Sequence, residues 1–68
     1  MNIGENIKRI REEKGITQAE LARGVNLTSP AINQYERGTK IPTLITAYFM
    51  AEYLGCSVLD FLGKENEQ

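Results

Sequence analysis

The sequence predicts an all-α fold, a compact bundle of five short helices. Apolar residues recur at helical spacing, as Ile3, Ile7 and Ile10 do near the N-terminus, and no stretch alternates as a strand does. Turn residues and helix caps divide the chain into five segments. A length of 68 residues leaves room for one domain. We expect that domain to span residues 1–62 and a polar, disordered tail to follow over 63–68.

The first two helices have recognisable ends. Helix one is predicted over residues 3–14, with Gly15 as its stop. The stretch TQAE then has the spacing of a capping box, in which Thr17 accepts from the Glu20 amide while Glu20 reaches back. The second helix is short and ends near Asn26, because asparagine tolerates the left-handed conformation that a tight turn requires.

A proline lies inside the next helix, in the stretch NLTSPAINQYERG over 26–38. Thr28 is a good N-cap, which makes Ser29 and Pro30 the first two helical positions. Backbone donors at those positions have no intrahelical acceptor, and the fixed φ of proline suits them. The proline is therefore predicted to start the helix rather than break it, and the helix ends at Gly38.

Two further helices complete the predicted bundle. Thr43 caps a fourth helix that runs to Leu54, and SVLDFL opens with Ser57 and Asp60 at capping-box spacing for a short fifth helix. The fourth helix carries two apolar stripes on nearly opposite sides. The stripe predicted to face the core consists of Leu44, Ala47, Ala51 and Leu54. The other stripe consists of Ile45, Phe49 and Tyr53.

Several kinds of chemistry are missing from the sequence. It has no histidine and a single cysteine, Cys56, which we interpret as a core residue because its neighbours are apolar. Zinc sites and histidine-based catalysis are thereby almost excluded. No nucleophile with a base appears, so we predict no enzyme activity, no metal and no cofactor. Without a membrane-length apolar run or a secretory leader, we expect a cytoplasmic protein with no membrane partner.

The formal net charge is −1, but the charges are unevenly distributed. Residues 1–40 hold seven of the eight Lys and Arg residues against five acids, a balance of +2, whereas residues 41–68 have a balance of −3. Any nucleic-acid surface is therefore expected within residues 1–40.

Two short helices joined by a tight turn, the second presenting small polar side chains, fit a helix-turn-helix that enters the DNA major groove. The stretch TQAELARGVNLTSPAINQYERG, followed by IPTL and YLGCSVLDFL, resembles the phage repressor and Cro-type (XRE-like) helix-turn-helix family of bacterial and phage regulators. The resemblance covers about residues 3–62 without a gap. It implies a lambda repressor-like domain that binds double-stranded DNA sequence-specifically and regulates transcription. More narrowly, it implies a repressor that binds a palindromic operator as a homodimer.

The resemblance also assigns roles to individual residues. It places the base-reading side chains at Ser29, Pro30, Asn33 and Gln34. It places the DNA backbone contacts at Thr17, Gln18, Thr28, Arg37, Thr39 and Lys40. Thr39 and Ile41 stand where family members often carry Lys or Arg, which implies fewer phosphate contacts. From the residues alone, Asn33 and Gln34 fit a plain solvent-facing role equally well.

Arg11 has a different implied role, because its family counterpart pairs with the glutamate that matches Glu36. The resemblance therefore assigns these two residues to a structural ion pair rather than to DNA. Losing one partner of such a pair is costly, even where the pair adds little net stability.

The chain departs from the family on its fourth helix. Ile45 and Phe49 stand where the family usually has polar residues, and Leu59 stands where it usually has an acid. A small domain rarely leaves such groups exposed together. We interpret the apolar set as a homodimer interface made by Ile45, Phe49, Tyr53 and Leu59. The alternative is that the C-terminal tail folds over these side chains.

A second functional hypothesis comes from another class of protein. The same fold could serve as a protein-interaction module of the antitoxin or anti-repressor type, with a regulatory protein bound to that apolar surface. The acidic composition and the sparsely basic loop after helix three favour this hypothesis, whereas the polar face of helix three opposes it.

Overall fold

The structure, a computed structural model, describes residues 2–63. That part of the chain contains no strand and five helices: α1 (Ile3–Glu13), α2 (Gln18–Gly24), α3 (Ser29–Arg37), α4 (Leu44–Leu54) and α5 (Val58–Phe61). The predicted all-α, five-helix bundle is confirmed. No helix in the described part is long and apolar enough to cross a membrane. Residues 64–68, which make up most of the predicted tail, lie outside the described residues.

Every helix begins after a side chain that accepts a backbone N–H from its first turn. These caps are Asn2, Thr17, Thr28, Thr43 and Ser57. In α3 the Thr28 hydroxyl oxygen accepts from the Ala31 amide at 3.2 Å, with Pro30 in the first turn. Pro30 removes no hydrogen bond that the helix uses, so it starts α3 as predicted.

All five helices share one core, and each contributes one fully buried large side chain to it. These side chains are Ile7, Leu21, Ile32, Met50 and Phe61. Burying a side chain of this size stabilises a fold by about 1.5 to 3 kcal/mol relative to leaving it exposed. Cys56, predicted as a core residue, is half-buried and packs against this cluster.

Gly4 lets the backbones of α1 and α3 approach each other closely. A Cβ atom at this position would overlap the Tyr35 carbonyl oxygen and lie 2.8 Å from the Glu36 carbonyl oxygen. Both obstacles are main-chain atoms of α3, which cannot move without displacing the helix. The orientation of α3 is therefore fixed by direct contact with α1.

The packing of α4 differs from the predicted stripe at one position. Ala47, Ala51 and Leu54 are buried, but Leu44 is 74% exposed, and Met50 completes the buried set. Leu44 is the first residue of α4, and helical side chains lean toward the N-terminus. Its side chain therefore extends past the end of the core, and the prediction that it faces inward is wrong.

Candidate nucleic-acid interface

α2 and α3 form a helix-turn-helix. α2 ends at Gly24, two residues before the predicted end, and Asn26 is the left-handed residue of the turn, with a φ of 62°. The Leu27 amide donates to the Ala22 carbonyl at 2.8 Å, which closes the turn. Ile32 and Glu36 are the buried residues of α3. The unit therefore buries one face of α3 and leaves the other exposed.

The outer face of α3 carries the four side chains to which the family resemblance assigns base contacts. Pro30 and Gln34 are exposed, and Ser29 and Asn33 are half-buried. Within residues 2–63, the side chains of Ser29, Asn33 and Gln34 make no hydrogen bond. Their donors and acceptors are available to another molecule, and Asn and Gln amides match the adenine edge in the major groove.

Two threonines at the starts of α2 and α3 keep a free hydroxyl proton. The Thr17 oxygen accepts from the Glu20 amide at 3.0 Å, and the Thr28 oxygen accepts from the Ala31 amide at 3.2 Å. Because each oxygen acts as the acceptor in its cap, each hydroxyl can still donate to a phosphate. Unpaired amides at a helix start favour the same anion.

Gln18 joins the buried ion pair of Arg11 and Glu36, a contact that the sequence did not reveal. The Arg11 guanidinium donates to the Glu36 carboxylate twice, at 2.6 Å and 3.0 Å, and Arg11 also donates to the Ile16 carbonyl at 2.8 Å. Gln18 donates its side-chain amide to the same carboxylate at 2.9 Å. The network therefore ties the start of α2 to both α1 and α3. One N–H of the Gln18 amide is used in this bond, and a second remains for a phosphate.

The ion pair at the centre of this network is both buried and charged. Arg11 and Glu36 are only 8% and 7% exposed. Hydrogen bonding to Glu36 raises the pKa of Arg11 above its ordinary value, which outweighs the lowering caused by burial. The guanidinium therefore stays charged, and the pair that the family resemblance implies is formed.

The end of α3 and the loop after it present the two basic side chains with implied backbone contacts. Arg37 and Lys40 are exposed, and Arg37 lies one turn beyond Gln34 on the same side of α3. Thr39 is also exposed, but its hydroxyl donates to the Gln34 carbonyl at 3.2 Å. This hydroxyl would have to leave that carbonyl before donating to a phosphate, so Thr39 is the weakest of the implied backbone contacts.

α4 exposes an apolar surface that is larger than the sequence predicted. Of its six exposed positions only Glu52 is charged. We name the other five the α4 face: Leu44, Ile45, Tyr48, Phe49 and Tyr53. Leu59 of α5 and Ile41 before α4 are exposed as well. Residues 41–51 contain no charged side chain, and this signal could have identified the whole face from the sequence.

The α4 face contacts the helix-turn-helix where Tyr53 packs against Gly24. A Cβ atom at Gly24 would overlap the ring of Tyr53, with the ring carbon Cζ at 2.7 Å. The Tyr53 ring thus lies against the end of α2. Tyr53 supports the helix-turn-helix on one side and belongs to the exposed α4 face on the other.

Comparison with known proteins identifies the family. Residues 7–61 match the sequence model of the HTH_3 helix-turn-helix family. The chain belongs to this family. Its relatives include transcriptional regulators and repressors rather than enzymes, in agreement with the functional class that the sequence predicts.

Two relatives of this HTH_3 chain have names that indicate a regulatory role. It is 35% identical over 65 residues to y4dJ of Sinorhizobium fredii, an uncharacterised HTH-type transcriptional regulator, covering 96% of this chain and 84% of that protein. It is 37% identical over 65 residues to the immunity repressor protein of Bacillus phage phi105, covering 96% of this chain but 45% of the repressor. The resemblance to the phage repressor family is therefore confirmed.

Two solved structures share the fold. The P22 c2 repressor in complex with a synthetic operator matches with a TM-score of 0.83 and 30% identity, over 90% of this chain and 92% of that one. The complex of the SinR and SinI proteins matches with a TM-score of 0.83 and 29% identity, over 96% of this chain and 64% of that one.

Among residues 2–63 there is no group of Cys, Asp and Glu side chains that could hold a metal ion.

The buried network leads to a prediction for stability. Replacing Arg11 with Met leaves the Glu36 carboxylate buried without its counter-ion, so we expect Arg11→Met to lower the free energy of unfolding by about 3 to 5 kcal/mol. Replacing both residues, as Arg11→Met with Glu36→Leu, should recover much of that loss because no uncompensated charge remains. Urea denaturation followed by circular dichroism measures both effects.

The matched control for this prediction is Lys8→Met, which removes a cation from the exposed side of α1. We expect it to change the free energy of unfolding by less than about 0.5 kcal/mol. A loss below about 1 kcal/mol for Arg11→Met would show that the network does not hold the three helices together.

Proposed function

We propose that this chain is a transcriptional repressor that binds a palindromic DNA operator as a homodimer. The observation that carries the proposal is the outer face of α3, where Ser29, Asn33 and Gln34 have no hydrogen-bond partner among residues 2–63. We further propose that residues 1–62 are the DNA-binding domain and that the protein is cytoplasmic. The operator complex of the similar P22 c2 repressor supports the choice of DNA as the ligand.

In this proposal, α3 enters the major groove and the surrounding groups hold the phosphates. Asn33 and Gln34 read adenine edges, Ser29 contributes one further hydrogen bond, and Pro30 packs against a thymine methyl group. The backbone contacts are assigned to Thr17, Gln18, Thr28, Arg37, Thr39 and Lys40. Only two of these residues are cations, so the dependence of affinity on salt should be shallow.

The proposed homodimer is supported by the size and composition of the α4 face. At about 200 Å² for a large residue, the exposed fractions of the α4 face and Leu59, which lie between 44% and 74%, correspond to about 700 Å² of surface. A standard interface buries about 800 Å² on each partner. The five residues of the face are uncharged, and Glu52 is the one charged residue of α4 beside them, so two copies can bring these five residues together without repulsion among them.

Two-fold symmetry connects the interface to the operator. An isologous contact through the α4 face relates the two α3 helices by the same axis. Recognition helices in such dimers read half-sites about 34 Å apart, which is one turn of DNA. A palindromic operator is the target that this symmetry requires.

A regulatory protein bound at the α4 face is the second candidate partner. The similar SinR protein forms a complex with the SinI protein, and an apolar surface of this size suits a protein ligand. In this role the protein would cover the surface that we assign to the second copy.

Two substitutions distinguish the proposed base contacts from the proposed phosphate contacts. Gln34→Ala removes a bidentate base contact, so we expect it to reduce discrimination at one base position by about 1 to 3 kcal/mol. Lys40→Ala should weaken all duplexes alike and lower the magnitude of the salt slope by about 0.9. Fluorescence anisotropy with a selected duplex and its single-base variants, at several salt concentrations, measures both quantities.

The control for these measurements is Lys8→Ala, an exposed substitution on α1 that should change neither quantity. The assignment is wrong if Gln34→Ala keeps the full base preference of the unmodified protein. DNA recognition as a whole is wrong if no duplex binds more tightly than random DNA at low salt.

The homodimer leads to a separate prediction for Phe49, which lies in the exposed α4 face. Phe49→Glu places two carboxylates in the apolar contact of a symmetric dimer, so we expect a folded monomer. Operator affinity should fall strongly because the two half-sites are no longer bound by linked subunits. Analytical ultracentrifugation without DNA measures the mass, and circular dichroism checks the fold.

Lys8→Glu is the control for this substitution because it introduces the same side chain on the exposed surface of α1. It should leave the dimer intact. If Phe49→Glu has the same mass in solution as the unmodified protein, the α4 face is not the dimer interface.

A further inference from the structure

A cleft opens where the end of α2 meets α4. Its volume is about 460 Å³, and it adjoins the α4 face through two shared aromatic residues. The lining residues are Gly24, Val25, Asn26, Phe49, Glu52 and Tyr53. The cleft therefore lies beside the surface that we assign to the second copy of the chain.

The chemistry of this cleft suits a cation. Phe49 and Tyr53 are one turn apart on α4 and line it together, and Glu52 adds a carboxylate. No basic side chain lines it, and Glu52 forms no ion pair within residues 2–63. Aromatic rings and a carboxylate together attract a guanidinium or ammonium group, and a guanidinium can also pair with the carboxylate through two hydrogen bonds.

Symmetry limits where that cation can come from. In an isologous dimer residue i contacts residue j and j contacts i, so a cleft that lies close to the two-fold axis meets groups from the neighbourhood of the partner's own cleft. Among the basic residues, Arg23 alone is adjacent in the chain to a residue that lines the cleft, Gly24. Arg23 is exposed and forms no ion pair in the described part of the chain.

We propose that Arg23 of each subunit enters the cleft of the other subunit, where it pairs with Glu52 beside Phe49 and Tyr53. This inference rests on the proposed homodimer and specifies its contacts. The pair forms twice in each dimer because of the two-fold axis. The axis then passes beside the two clefts, so that one ion pair lies on each side of it, next to the uncharged residues of the α4 face. The two pairs select a second copy of this chain in one relative orientation.

Charge reversal tests the contact in both directions. Arg23→Glu alone places two acids in each cleft, and Glu52→Arg alone places two arginines together, so each variant should weaken homodimerisation by about ten- to a hundredfold. In an equimolar mixture of the two variants, both clefts of a heterodimer contain one acid and one arginine. The mixture should therefore form a one-to-one heterodimer with nearly the affinity of the unmodified dimer.

The measurement is native mass spectrometry of the full chains, with one variant mass-labelled, together with sedimentation equilibrium. Circular dichroism checks the fold, which should be unchanged because both side chains are exposed. A chain that carries both Arg23→Glu and Glu52→Arg should dimerise with itself again. Lys8→Glu, a charge reversal on the exposed face of α1, should leave the homodimer affinity unchanged.

The outcomes separate this inference from the proposed homodimer. If Phe49→Glu breaks the dimer but the charge reversals do not weaken it, the α4 face is the interface and the Arg23–Glu52 contact is wrong. The contact is equally wrong if mixing the two weakened variants produces no heterodimer. If the unmodified chain is a monomer, or if Phe49→Glu leaves it dimeric, both proposals fail.

Discussion

The buried ion pair between Arg11 and Glu36 is the interaction on which the rest of the structure depends. It joins α1 to α3, and through Gln18 it also fixes the start of α2. Gly4 lets the α1 and α3 backbones meet beside it. A charged pair at this depth is stabilising only when every partner is present, because an isolated buried charge is costly. The polar network therefore specifies one arrangement of the helix-turn-helix, which the apolar core alone would specify less strictly.

The two exposed surfaces of the molecule differ in chemistry. The outer face of α3 presents unpaired polar groups, which can be matched by base edges and phosphates. The α4 face presents apolar groups, which gain from being covered by another protein surface. Tyr53 connects the two regions because its ring packs on Gly24 at the end of α2. Contacts made at the α4 face therefore lie beside the end of α2, the helix that precedes the proposed DNA-reading helix.

Much of this organisation could be predicted from the sequence because local signals define it. The capping residues gave the helix starts, and the spacing from Thr28 explained why Pro30 begins α3. Non-local packing was harder to predict. Helical spacing placed Leu44 on the inward stripe, but spacing does not show where the core ends, and Leu44 lies beyond it. The hydrogen bond between Gln18 and Glu36 joins residues on different helices, so no local pattern indicates it. The base contacts of Ser29, Pro30, Asn33 and Gln34 remain predictions from the family, supported at the three polar residues by free hydrogen-bonding groups.

Selection of bound duplexes from a random pool tests the central claim most directly, because it reports sequence preference and symmetry together. The account predicts that the unmodified protein enriches a palindrome whose half-sites are centred about one helical turn, or about 34 Å, apart. It also predicts that Phe49→Glu enriches no palindrome under the same conditions. Failure of the unmodified protein to enrich any sequence, or enrichment of a single site without symmetry, would contradict the account.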